Sequence, residues 1–311
     1  MTALICGSFA YDHIMVFPGR FKDHILPDKI HILNVCFVVP ELKHEFGGSG
    51  GNIIYNMKLL DVDCLPMGTV GTDFTEYREW LEQNGIELRH IRVIDDTYTA
   101  QCFITTDLDD NQITTFQVGA MVHSHENKVA MAEDISIGIV APDGKEGMLQ
   151  HARQFAEAGI PFIFDPGQNV TVLSRDELLD SFEHATWLVF NDYEWQLVED
   201  KTGLTTASVM DLVDTLIVTR GASGSIIHSR GQRIDIPAAR AERLVDPTGC
   251  GDAYRAGLLY GLMRSMDWDT TGRIASLMGK IKIEARGTQN HRFSEQEFVE
   301  LFKLQFGYSF L

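Results

Sequence analysis

The chain has 311 residues, 44% of them hydrophobic and 23% charged, with a formal net charge of −18; that is enough for one large α/β domain with a small appendage. No apolar run reaches the roughly 20 residues needed to cross a bilayer, and so acidic a chain lacks the basic stripe that nucleic acid demands. Cys6, Cys36, Cys64, Cys102 and Cys250 lie far apart with no C-x-x-C pair, which fits a reducing cytoplasm and argues against structural zinc.

Residues 3–6 read as a first strand, because no basic stretch precedes them as in a signal peptide. A polar turn, Ser8 to Asp12, follows. From 13 to 46 short apolar runs are broken by Pro18, Gly19, Pro27 and Pro40 without a helical period, which predicts strands of a separate small sheet. Gly47-Gly48-Ser49-Gly50-Gly51-Asn52 then leads into a helical run over 53–60. After Gly68-x-Val70-Gly71-x-Asp73 comes a helix near 77–84, stopped by Gly85. Residues 97–106 and 112–118 flank the turn residues 107–111, a hairpin signal. With 13–46 these arms predict a lid over one edge of the main domain.

Beyond residue 130 the chain is regular. The runs 135–141, 161–164, 187–190 and 216–218 have the apolar character of buried strands. Helices are expected at 147–158, at 177–184 behind a Ser174/Glu177 capping box, and at 209–214. Such alternation implies right-handed crossovers and a parallel sheet with helices on both faces. A last helix starts at a second capping box, Ser294 with Glu297. Polar residues follow the strands in Asp165-Pro166-Gly167-Gln168, Asn191-Asp192-Tyr193-Glu194 and Thr219-Arg220-Gly221, at the sheet edge where ligands of open α/β folds bind.

Asp246-Pro247-Thr248-Gly249-Cys250-Gly251-Asp252 runs straight into an apolar helical stretch. A tight glycine turn at a helix start leaves amides unpaired beside the positive end of the dipole, which suits phosphate. Asp252 at its rim can hold an attacking hydroxyl in line with a phosphoryl group. Cys250 has the small size the turn needs, at a position where a helix terminus can lower a thiol pKa. No G-x-x-x-x-G-K-[ST] and no G-x-S-x-G occurs, so neither a P-loop nor a serine-hydrolase elbow is present.

The glycine motif at 47–52, Gly68-x-Val70-Gly71-x-Asp73, Asn191-x-x-Glu194, Thr219-x-Gly221-x-x-Gly224 and Asp246-x-Thr248-Gly249-x-Gly251-Asp252 occur in this order. The series resembles the ribokinase-like (PfkB-type) family of carbohydrate and nucleoside kinases, over nearly the whole chain. The resemblance implies a three-layer α/β/α domain, with a central mostly parallel sheet, over residues 1–12, 47–96 and 119–311, and a discontinuous β-lid over 13–46 and 97–118. It implies ATP as phosphoryl donor, with Asp252 as base and Gly249, Cys250 and Gly251 supplying amides. Asn191, Glu194 and Asp165 would organise Mg²⁺, partly through water, with Asn191 also beside the nucleotide. Thr219, Gly221, Gly224 and Gly279 would line the nucleotide site, and Asp246 with Thr248 would hold a monovalent cation such as K⁺.

Asp12, Gly48, Ser49 and Asn52 match positions that bind the acceptor's hydroxyls. Large apolar side chains in the lid region, Phe103 among them, suit a flat base. The Gly-Gly-Ser-x-x-Asn form of the first motif is similar to that of adenosine kinases. A nucleoside 5′-phosphotransferase for adenosine, with inosine and guanosine as further acceptors, is therefore expected in the cytoplasm, with the lid edge available to pair two copies. The rivals are a ribose or fructose kinase and a ligand sensor that has lost phosphotransfer.

Overall fold

A computed structural model of the chain describes residues 1–109 and 111–311. Asp110, within the hairpin turn expected from sequence, lies outside the described residues. The large sheet is built from β1 (Thr2–Cys6), β4 (Cys64–Val70), β5 (His90–Val93), β8 (Ile135–Val140), β9 (Phe162–Phe164), β10 (Trp187–Asn191), β11 (Thr215–Thr219), β12 (Ser225–Ser229) and β13 (Gln232–Ile236). Its order is β13-β12-β11-β10-β9-β8-β1-β4-β5. From β11 to β5 neighbours are parallel, and β12 and β13 join as antiparallel edge strands.

Side chains of each central strand are buried on both faces, the pattern of a sheet covered twice. Ala3 and Ile5 of β1 pack with residues of α1 (Ser49–Leu59), α2 (Thr75–Gln83), α7 (Cys250–Met263), α8 (Trp268–Ile283) and α9 (Glu295–Phe306). Leu4 and Cys6 point the other way, into a second core with α3 (Lys145–Glu157), α4 (Arg175–His184) and α5 (Asp192–Thr202). The result is the three-layer α/β/α arrangement expected. No helix is long and apolar enough to cross a membrane among the described residues.

A second sheet holds β2 (Ala10–Val16), β3 (Leu42–Gly47), β6 (Ala100–Thr106) and β7 (Gln112–Gln117), in the order β3-β2-β6-β7. The third motif residue of Gly71-x-Asp73 ties it to the main domain. One Asp73 oxygen accepts from the Thr99 amide at 2.7 Å and hydroxyl at 2.7 Å, the other from Gln101 Nε2 at 3.0 Å. Between β2 and β3 the chain is not a run of strands as expected. It forms 3₁₀ turns at Phe21–Asp23 and Pro27–Ile32. The prolines deny a ladder its donors, and Phe17, Phe21 and Phe37 close on one another instead, with Phe37 4.9 and 4.8 Å from the other two rings.

The capping boxes at Ser174 and Ser294 form as expected. The helix expected at 209–214 is instead the short α6 (Thr206–Val209), whose cap is Thr205. α1 begins inside the glycine motif, at Ser49 rather than residue 53. Its first turn lies directly on the end of β1: a Cβ on Gly50 would sit 2.6 Å from the Gly7 carbonyl carbon.

Candidate active site

Three loops meet at the C-terminal edge of the large sheet, and the turn before α7 is the deepest. Gly249 takes φ 79°, ψ 0°, a left-handed conformation that glycine adopts without strain. Asp246 clamps the turn from below: one oxygen accepts from the Thr248 amide at 2.9 Å and the other from the Gly287 amide at 2.9 Å. Burial opposes ionisation of Asp246, but these donors and nearby Lys282 hold its carboxyl below the usual range.

The amides do not all stay free. Cys250 N–H donates to Pro247 O at 3.2 Å and Ala253 N–H to Gly249 O at 3.0 Å. The expected contribution of Cys250 to an anion hole is therefore corrected. The amides of Gly249, Gly251 and Asp252 are the ones without a protein acceptor among the described residues, at the positive end of a 14-residue helix. Burial pushes the Cys250 thiol up to about 11, so the helix terminus does not activate it.

Asp252 is half-buried in the first turn of α7. Asn52 Nδ2, from α1, donates to its Oδ2 at 2.8 Å, and Gln289 Nε2 donates to Asn52 Oδ1 at 3.1 Å. Burial raises the Asp252 carboxyl to about 6; hydrogen bonds from Asn52 and Ser49 and the Arg255 guanidinium pull it down, and Asp165 pushes it up. Asp12, on β2, is also raised to about 6, by burial and then by Asp252, Asp246 and Glu45. Its carboxylate fills the place a Gly47 side chain would take, 2.5 Å from a Cβ there. Gly48 turns the chain into α1 at φ 85°. Ser49 N–H donates to Ser8 Oγ at 3.2 Å. Two carboxylates of raised pKa and one amide thus converge where the two sheets meet.

Phe103 does not join them. Side chains alternate along a strand, and Phe103 is paired with His13, one residue past Asp12. It therefore lies on the opposite face, with its ring stacked on His13 at 4.5 Å. The Asp12 face instead carries Cys102, Ile14, Ile104 and Phe116, by the same register.

Beside the turn opens a cleft of about 640 Å³, lined by Thr219, Gly221, Gly224 and Gly279 together with Cys250 and Gly251. Pro247 of the glycine turn also lines it, as do Tyr254 and Ser276, which no sequence pattern singled out. Asn191 and Glu194 form a capping box at α5, each holding the other's amide, at 2.7 and 2.8 Å. Burial, then Asp165, raises the Glu194 carboxyl. Asp165 is bound by Arg255, at 2.7 Å from Nε and 3.0 Å from Nη2, both side chains being buried. Arg255 was missed in the sequence, although a charge inside the apolar run of α7 was a signal that it had a buried partner.

No group of three or more His, Cys, Asp or Glu side chains is arranged to hold a metal ion among the described residues. Glu194, with one oxygen uncommitted among the described residues, nonetheless fits Mg²⁺ arriving on phosphate, since that ion keeps several waters and needs few protein ligands. Asp165 does not fit as a ligand, because Arg255 takes both its oxygens. The monovalent cation fits less well. Lys282 Nζ already donates to Asp246 O at 2.9 Å, and both Asp246 carboxylate oxygens are taken by amides.

The pattern of the pfkB family carbohydrate kinases matches residues 10–295. The nucleoside kinase of Methanothermobacter thermautotrophicus is 30% identical over 310 residues, 98% of this chain and 96% of its own. That of Methanocaldococcus jannaschii is 29% identical over 269 residues, covering 86% and 88%. Among solved structures, Burkholderia thailandensis nucleoside kinase in complex with inosine superposes with TM-score 0.91, at 48% identity and 99% of both chains. The same enzyme in complex with ADP-inosine gives 0.88 at 50% identity, covering 99% of this chain and 97% of that one. With the anion turn, its carboxylate and the two-sheet architecture in place, the chain belongs to the pfkB family of carbohydrate kinases, phosphotransferases that act on a hydroxyl group.

Proposed function

We propose that this protein is an ATP-dependent nucleoside kinase that phosphorylates the 5′-hydroxyl of purine nucleosides, adenosine and inosine included. The reading rests on one observation above others: Asn52 on the acceptor side is hydrogen-bonded to Asp252 beside free helix-terminal amides. Asp12 accepts from the ribose diol while Asn52 donates to it. ATP lies along the glycine-lined cleft with its γ-phosphate against the amides of Gly249, Gly251 and Asp252. Asp252 holds the 5′-hydroxyl in line; the new O–P bond forms as the bond to the bridging oxygen of ADP breaks, and the proton passes to Asp252 late. Amides at the turn stabilise charge on the migrating group. Mg²⁺ on the phosphates would supply further charge neutralisation, with Glu194 orienting its waters and Asp165, held by Arg255, adding negative charge nearby.

The apolar strip Ile14, Ile104 and Phe116 beside Asp12 supports a base rather than a bare sugar, and the inosine complex of the 48%-identical structure supports it too. Pairing of two copies along an open small-sheet edge, β3 or β7, belongs to the same reading; β7 is exposed throughout. So does a cytoplasmic setting, where the five free cysteines stay reduced. The test is ADP release with ATP and Mg²⁺ over a panel of adenosine, inosine, guanosine, ribose and fructose. Purine nucleosides are expected to exceed ribose in kcat/KM by at least about a hundredfold, because ribose lacks every base contact, and the product is the 5′-monophosphate. Fast turnover of ribose with none of the nucleosides would make it a sugar kinase, and ligand binding without ADP release a sensor.

A further inference from the structure

Lys282, one residue from the end of α8, is completely buried. Its ammonium donates to two main-chain carbonyls, Asp246 O at 2.9 Å and Ala285 O at 3.1 Å, and forms no ion pair among the described residues. A buried ammonium without a direct counter-ion is costly, and a methionine would fill the same space with no such penalty. The charge therefore has a use at this place. Asp246 O opens the turn that leads to the free amides, and Ala285 O belongs to the loop after α8. The Asp246 carboxylate already ties those two loops through Thr248 N and Gly287 N. The groups that face Lys282 electrostatically are Asp246, Cys250 and Asp252 on that turn and the buried imidazole of His291.

We propose that Lys282 is a built-in monovalent cation: its ammonium fills, between the Asp246 and Ala285 carbonyls, the place an alkali ion would otherwise take behind the phosphoryl site. An ammonium and a potassium ion have the same charge and both bind carbonyl oxygens at close range. Covalent attachment makes the charge permanent and fixes both loops. Lys282 is thus a positioning residue for the turn, and phosphotransfer proceeds without added K⁺. The inference rests on the kinase reading for its effect on rate, but not for its geometry.

Two experiments test it. In KCl and in tetramethylammonium chloride of equal ionic strength, wild-type kcat is expected to agree within about twofold. Lys282→Ala is expected to lose kcat more than KM and to regain at least about tenfold on adding KCl, whereas Lys282→Met, whose side chain fills the space, gains nothing. Independently of activity, crystals soaked in thallium(I) should show no anomalous peak between the two carbonyls in wild type and a peak in Lys282→Ala. Strong K⁺ activation of wild type, or thallium bound there beside Lys282, overturns the proposal. If the variants fail to fold, the two wild-type measurements still decide. A wild type that phosphorylates no acceptor refutes the kinase reading alone, and the thallium result still stands or falls by itself.

Discussion

As the proposed base, Asp252 would have to be ionised to accept a proton, and burial makes that harder, with the carboxyl at about 6. Its folded pKa lies above the ordinary carboxylate value, so the inactive, protonated form dominates at acid pH. We expect kcat/KM to fall below about pH 6 and to level off about one unit above, with Asp12, also at about 6, steepening the acid limb. A pH profile that is flat between 5 and 7.5 would sink the assignment. Asp252→Asn is expected to lower kcat by at least about 10³-fold while leaving the nucleoside Kd, measured by calorimetry, within a few-fold. The residue types of this corner were legible in the sequence only because five motifs occur in the order of the ribokinase-like family; the Gly-x-Gly-Asp turn alone reads equally as a glycine loop capped by aspartate. Its partners were not: that Cys250 spends its amide on Pro247, that Arg255 grips Asp165, and that Phe103 faces away all depend on tertiary register.

At the scale of elements, α1 is placed by a backbone-to-backbone contact that no side chain can enter. Gly50→Ala would push a methyl to 2.6 Å from the Gly7 carbonyl carbon and oxygen, in a residue whose amide is tied to Met67 O of β4 at 3.2 Å. Overpacking of this kind is expected to cost about 1–3 kcal/mol, seen as a lower denaturant midpoint at unchanged slope. It should also move Asn52 off Asp252, so kcat falls in the folded protein; an unchanged midpoint and rate would show that α1 is free to shift. Capping boxes announced α4 and α9 correctly, since Ser-x-x-Glu satisfies two amides by local geometry alone. The Asn191-x-x-Glu194 pair reads equally as a cap and as a site motif, and the structure shows that it is at least the first. Local rules fail over 17–41, where proline-broken apolar runs look extended yet close into aromatic-packed turns.

For the whole molecule, net stability follows pH through groups that folding traps in the wrong protonation state. Asp143, just past β8, is buried with one oxygen accepting from the Gly144 amide at 2.8 Å and the other without a partner among the described residues. Burial lifts its carboxyl to about 8. The folded state therefore keeps a proton that the unfolded chain releases near 4, and stability falls as pH rises through that window. Asp143→Asn, which is never charged, is expected to show a smaller drop in Tm between pH 5 and pH 8 than wild type; parallel curves would refute the shift. The layers of the fold were readable from alternating apolar runs, but the strand order and the union of two sheets at one corner required long-range contacts. That union has a final consequence. Asp12 stands on the small sheet and Asp252 in the first turn of α7, on the main domain, so on the kinase reading proposed above a sugar ring would touch both at once. Water, too small to span both, would then meet an incomplete constellation, and breakdown of the donor without an acceptor is expected to be slow.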